Sequence, residues 1–498
     1  MKRSSAHISH QASTAAADTG MSTALRSVGL LDVVSTTPPG PSGRAPCIHA
    51  RFHRLATNLG EKCGIGAAAG VLFLFALSLF PPPAFPVLYI DINAPDGKRM
   101  PIAVADVVVG RGDPSLSRGI PKILSDDLAL TDLFDLVPPT AHMETVTAAH
   151  FSGKPLSFPG WKMIGAEAVV IGLVDARGDR LAIEMRLYDA TQGTLLAGKR
   201  YTGTPNQLRT IVHGFANEIV YVFTGARGVF GTEIAFTARS GKSRGKEIYL
   251  VGMDGQDLRK VTDDRSFNLF PRWSSDGQWL AYTSFRTGAP IVYLRNVLTG
   301  AEKDVVRFGG SKAPGGFSPD GVWLYAGVSQ AGNSDIYRVR VVGGAVEKVV
   351  EGWGLEVSPS PSPDGRRIAF VSDRGGSPQV YVKTIGDAGE TRISDGTGYA
   401  TSPSWSPAGD RIAYTARSGG RFVVATVAPD GSGTREVASA TDGDCEDPSF
   451  SPDGRSLVYT YRKRGYSALK IISSDGRRQR TLIAGLGDVG SSAWSPGR

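Results

Sequence analysis

A five-residue block recurs along the second half of the chain: an aromatic residue or proline, then Ser-Pro-Asp-Gly or a close variant. Nothing else in the sequence restricts the fold so tightly. The block starts at Trp273, Phe317, Pro361, Trp405, Phe450 and Trp494, in steps of 44 residues with a single 45. A fixed period of this length marks a repeat architecture, in which each unit buries its apolar face on its neighbours.

Within the block, proline presets φ for a tight turn, aspartate tolerates the next position, and glycine takes the left-handed position that closes it. Such a turn joins two antiparallel strands. The leading Trp or Phe is large enough to fill the space between adjacent sheets. Triplets after the turn, such as Ile368-Ala-Phe370 and Ile412-Ala-Tyr414, read as second strands. Third strands follow near residues 247–250, 290–294, 335–338, 379–382, 422–424 and 469–472, and fourth strands after further turns, as at 258–261 and 346–349. Four strands per period is the β-propeller pattern. Residues 232–262 supply three strands without a block, and residues 491–496 supply a block strand with nothing after it. Joined, they complete a sixth blade. An open β-solenoid is the competing architecture, and it leaves these complementary ends unexplained.

Residues 88–225 lack the repeat. Residues 101–109 (PIAVADVVV) read as one buried strand, 116–130 as a helix, 134–137 as a short strand, and 168–174, 181–188 and 195–201 as strands. Leu208, Ile211, Val212, Phe215, Ile219, Val220 and Phe223 form the apolar stripe of a last helix. Upstream, Arg51, Arg54 and Lys62 precede an apolar run at 65–80 that ends at Pro81-Pro82-Pro83, the layout of a secretory signal peptide. An uncleaved anchor is the competitor there. Cys63 precedes the apolar run, which argues against a lipoprotein. The expected fold is therefore an α/β N-terminal domain plus an all-β six-bladed β-propeller closed by its C-terminal strand. The expected divisions are 1–84 (a disordered extension and signal peptide), 85–225 and 226–498.

The formal charge of +8 first suggests an anionic partner, but seven Lys/Arg and three acids fall in the leader, leaving about half that excess. No dense basic stripe exists, so nucleic-acid binding is not expected. Of three cysteines only Cys445 lies beyond the leader, so no internal disulfide is expected there. None of the seven histidines lies beyond His213, which removes His-based catalysis and His-rich metal sites from the propeller. There is no Gly-x-Ser-x-Gly elbow and no phosphate-cradling Gly-rich Lys loop. The block aspartates are read as turn residues, not calcium ligands. The chain is expected to be no enzyme and to need no metal or cofactor.

The signal sequence, a Tyr-Ile-Asp-Ile (89–92) and Pro-Ile-Ala-Val (101–104) opening, and six blocks ending at a truncated Trp-Ser-Pro together resemble the TolB family. The resemblance covers residues 88–498. It implies a periplasmic, non-enzymatic scaffold of the Tol-Pal system, peripheral to the membrane through its partners. Those partners are the peptidoglycan-associated lipoprotein Pal on the propeller and the inner-membrane-anchored protein TolA on the mature N-terminus. The implied roles are outer-membrane integrity and cell division. The segment at 85–92 is short and strand-like. The alternatives are the propeller of a peptidase-like protein and a small-ligand-binding exported protein.

Loops leading into the inner strands, at 264–270, 311–315, 354–358, 398–402, 443–447 and 487–490, gather at one mouth of the central channel and differ between blades. TolB-like proteins hold Pal with loops in these positions. Candidate partner residues are therefore the carboxylates Asp264, Glu356, Asp444, Glu446, Asp447 and Asp488, the basic exception Arg265, and the aromatics Phe267, Phe270 and Tyr399. A solvated polar rim without a partner is the plainer reading.

Overall fold

The computed structural model describes residues 99–131, 133–239, 241, 244–395 and 398–497, together with the backbone of Val34–Ser35, which lies antiparallel beside Arg200 and Lys199. The remaining leader readings, and residues 85–98, lie outside the described residues. Among the described residues no helix is long and apolar enough to cross a membrane.

The N-terminal part is an α/β layer. Its elements are β1 (Met100–Val104), β2 (Val108–Arg111), α1 (Leu116–Ala129), β3 (Phe134–Leu136), α2 (Pro159–Met163), β4 (Ala168–Arg177), β5 (Arg180–Asp189), β6 (Thr194–Gly203) and α3 (Leu208–Thr224). The sheet order is β6-β5-β4-β1-β3, with β1 parallel to β3 and β4, and β2 pairing with β4. Along β4, Ala168, Val170 and Val174 face α1 and α3, whereas Val169 and Ile171 face Trp161 of α2, as the two-residue period of a strand requires.

The sequence reads 101–109 as one strand, and here the structure differs. The run breaks at 105–107 because Val107 N donates to Ser117 O at 2.9 Å instead of extending β1. That carbonyl is free because Pro121, four residues on within α1, has no N–H to give it. A helix defect and a strand break thus satisfy each other.

The propeller has six four-stranded antiparallel sheets. Blades 1 to 5 begin with the inner strands Asn268–Trp273, Lys312–Phe317, Val357–Pro361, Ala400–Trp405 and Asp444–Phe450. Blade 6 joins Glu233–Arg239, Glu247–Gly252 and Arg259–Lys260 to an inner strand, Asp488–Trp494, from the chain end. In blades 1, 2, 3 and 5 the block serine donates to the block aspartate, and its hydroxyl accepts the backbone N–H that opens the second strand, as Ser318 does from Trp323 at 2.9 Å. In blade 4 Ser406 uses Asp410 instead, at 2.7 Å. At the closure Ser495 Oγ accepts from Glu233 N at 3.0 Å, so one bond type seals every blade. The block aromatics Trp273, Phe317, Trp405, Phe450 and Trp494 are all buried. The apolar core runs without interruption from Phe215 and Phe223 of α3 through Phe230 to Ile234, Met253 and Leu482 of the propeller.

Candidate functional site

Antiparallel blade order puts two loop sets on one face: those leading into inner strands and the hairpins between second and third strands. Together they surround one mouth of the channel. Each inner strand carries a bulge at the same level, seen as a register shift in all six. Phe270, Ser358, Ser402, Asp447 and Ser491 occupy it with φ between 50° and 57°, a left-handed conformation that non-glycine residues seldom adopt. In blade 2 Pro314 stands there and cannot do so. Two residues on, Arg272 stands where the other blades have Gly316, Ser360, Ser404, Ser449 and Ala493. It donates to Gly315 O at 2.9 Å and to its own Pro271 O, and burial lowers its pKa. Gly315 admits this approach of blades 2 and 3: a Cβ there would fall 1.9 Å from Pro359 O.

The carboxylates expected to face a partner are mostly bound within the mouth. Asp264 accepts from Asn268 Nδ2 at 2.7 Å, and Asp444 accepts from Phe422 N at 2.9 Å. Glu446 meets Arg462 at 3.4 Å, and burial raises its pKa. Asp488 is shared between Arg462 and Lys246, whose bonds outweigh burial and lower its pKa. Asp447 accepts from Ser402 Oγ at 2.7 Å. Arg462 thus draws Glu446 and Asp488 together.

Glu356 departs most from the expectation. It is fully enclosed, its Oε1 lies 2.9 Å from Arg374 and 3.1 Å from Ser372 Oγ, and burial raises its pKa despite these partners. The sequence offered it as a surface charge; in the structure it anchors Arg374 from beneath. Arg265 has φ 58° and its backbone N–H donates to Glu247 at 2.7 Å. Phe267, Phe270 and Tyr399 are exposed, with Tyr399 edge-on to Phe422 at 5.6 Å.

Sequence reasoning missed Trp353, which lies one residue before the loop range considered. It is 82% exposed and stands with Leu355 beside a groove of about 360 Å³ that Asn333, Ser334 and Asp373 also line. The signal was present as a tryptophan between Gly352 and Gly354, outside any block.

One group among the described residues has metal-ligand chemistry: Asp127, His213 and Asp254, with their atoms within 4.8 Å of one another. His213 Nδ1 lies 2.7 Å from Asp127, and burial raises the pKa of that carboxyl. Arg209 donates to Asp254 Oδ2, the oxygen that faces His213 Nε2 at 3.9 Å. A guanidinium already neutralises the oxygen a cation would need, so the cluster reads as a latch between α1, α3 and the propeller. A crevice of about 710 Å³ opens beyond the carboxyl ends of β1 and β3, but its charges pair internally: Arg118 with Asp106 and Lys122 with Asp126.

Comparison with known proteins places this geometry. A family model described as the TolB beta propeller domain matches residues 221–498, more than half of the chain, and one described as the TolB amino-terminal domain matches residues 88–196. The chain is 36% identical over 259 residues to a Tol-Pal system protein TolB of Syntrophus aciditrophicus, covering 49% of this chain and 57% of that one. It is 34% identical over 269 residues to the Bordetella avium protein of the same name, covering 54% and 58%. The matched stretches span about half the length of these curated relatives. The crystal structure of TolB from Acinetobacter baumannii superposes with a TM-score of 0.70 at 27% identity, over 80% of this chain and 97% of that one.

Proposed function

The chain belongs to the TolB family, and from that premise we propose that it serves the Tol-Pal system as a periplasmic scaffold that works by binding, not by turnover. Its propeller mouth holds the peptidoglycan-associated lipoprotein Pal, and its N-terminal segment engages TolA. Through these two contacts it supports outer-membrane integrity and constriction at division.

The observation that carries this reading is the mouth itself. A rigid ring of bulged inner strands presents loops that differ in every blade, and an almost fully exposed tryptophan stands at its rim. Exposed aromatics beside a groove are the usual energetic centres of protein interfaces. Turnover finds little support: the propeller lacks histidine, and the carboxylates at the mouth are held by bonds within it. The test is a titration of the mature chain with the soluble domain of the cognate lipoprotein, followed by calorimetry. Saturable one-to-one binding supports the proposal; no heat and no co-elution at tens of micromolar refutes it.

A further inference from the structure

The outer hairpins of blades 4 to 6 carry positive charge that no carboxylate neutralises, although the loops leading into the inner strands of the mouth are rich in carboxylates. Those carboxylates each have a partner within the mouth, as Asp264, Glu356, Glu446, Asp447 and Asp488 do. The outer hairpins of the neighbouring blades 4, 5 and 6 carry the opposite sign. In blade 4 Arg417 and Arg421 flank the two-residue turn Gly419-Gly420, whose φ values of 56° and 83° suit only glycine well. In blade 5 Arg464 and Gly465 form the turn between Lys463 and Tyr466. In blade 6 Arg244 precedes Lys246.

Arg244, Arg417, Arg421 and Arg464 are all exposed, and among the described residues no carboxylate pairs with any of them. Three neighbouring cations do have carboxylate partners: Lys463 pairs with Asp442, and Arg462 and Lys246 with Asp488. Exposed aromatics lie beside two of the arginines: Tyr399, whose carbonyl accepts from Arg417 N at 2.9 Å, and Tyr466, two residues after Arg464. Guanidinium groups are weakly hydrated, present a planar fork matched to carboxylates, and stack on rings.

We propose that this arginine arc on blades 4 to 6 recognises an acidic protein surface, steering it onto the mouth before the loops around Trp353 engage. The inference rests on the mouth being the partner seat, and it names that partner's chemistry. Two features favour protein over an anionic bilayer. The arc lies on hairpins that surround the mouth of the central channel, which suits an inserted convex surface and not a flat one. The aromatics stand beside the arginines and supply stacking partners for side chains.

The experiment uses the mature chain and a triple variant, Arg417→Glu, Arg421→Glu and Arg464→Glu, with Arg366→Glu on the opposite face as control. The probes are poly-L-glutamate, poly-L-lysine, phosphatidylglycerol vesicles and the soluble lipoprotein domain. The expected result is retention of poly-L-glutamate that weakens with salt, a loss of at least tenfold in the triple variant, and no change in the control. Lipoprotein association slows in the triple variant and its salt slope flattens. Equal retention by the triple variant, a preference for poly-L-lysine, or uptake by vesicles in preference to poly-L-glutamate overturns the inference. Failure of the unmodified chain to bind the lipoprotein strikes the scaffold reading instead, because retention of poly-L-glutamate is measured apart from it.

Discussion

The indole Nε1 of Trp494 donates to Thr232 Oγ1 at 2.9 Å, joining residues 262 positions apart. Around that bond Trp494 pairs with Ile234 and Ala493 with Ala235, while Ser495 exchanges backbone and side-chain bonds with Glu233. The last strand therefore seals the ring with the same contacts that seal each internal blade.

Closure predicts a large effect at the chain end. Trp494→Ala removes a buried indole and the bond it gives to Thr232 Oγ1, which keeps only its own bond to Val229 O, at a cost of about 3–5 kcal/mol. Deleting residues 491–498 unpairs the inner edge of Glu233–Arg239 and should cause aggregation or proteolysis. Urea denaturation of both variants reads this directly. A truncated chain with an unchanged midpoint rules out closure.

The left-handed bulges predict a reversed ranking of substitutions. At Ser358, with φ 53°, Ser358→Gly relieves backbone strain and should be neutral or stabilising by up to ~1 kcal/mol. Ser358→Val places a β-branched residue in that region and should cost about 1–3 kcal/mol. Melting temperatures of the pair decide the matter; valine tolerated as well as glycine would show that the bulge relaxes.

Acid sensitivity should centre on Glu302. Burial alone would raise its carboxyl, but bonds from Arg286 and Tyr282 outweigh it and hold the pKa below the usual glutamate range. A depressed folded-state value contributes stability that is present above the unfolded value and is lost as pH falls through the folded one. Glu302→Gln should therefore cost about 1–3 kcal/mol at pH 7. The gap should close as pH drops below ~4. Denaturant titrations at the two pH values test this, and a gap constant with pH contradicts it.

The fold was legible because the block joins three independent signals at one spacing: a buried aromatic, a turn, and the strand after it. The same block hid what lies between its copies. Positive φ at Ser402 or Asp447 has no local marker in sequence, because it arises from a two-against-one register with the neighbouring strand. Glu356 is held by Arg374, 18 residues away in the hairpin between the second and third strands of its blade, so its charge looked available when it was not. Trp353 was visible as an aromatic outside the block, but only the structure shows that it is 82% exposed. The arginines of the hairpins became informative once the carboxylates of the mouth were found to accept from their own neighbours.

The central claim is that the mouth of the propeller is the seat of a protein partner, with Trp353 at its energetic centre. Isothermal titration of the mature chain and of Trp353→Ala with the soluble domain of the cognate lipoprotein tests it most directly. The account predicts saturable binding by the unmodified chain and a loss of at least about 2 kcal/mol, roughly thirtyfold in affinity, in the variant, with unchanged thermal stability. Equal affinity of the two proteins would contradict it.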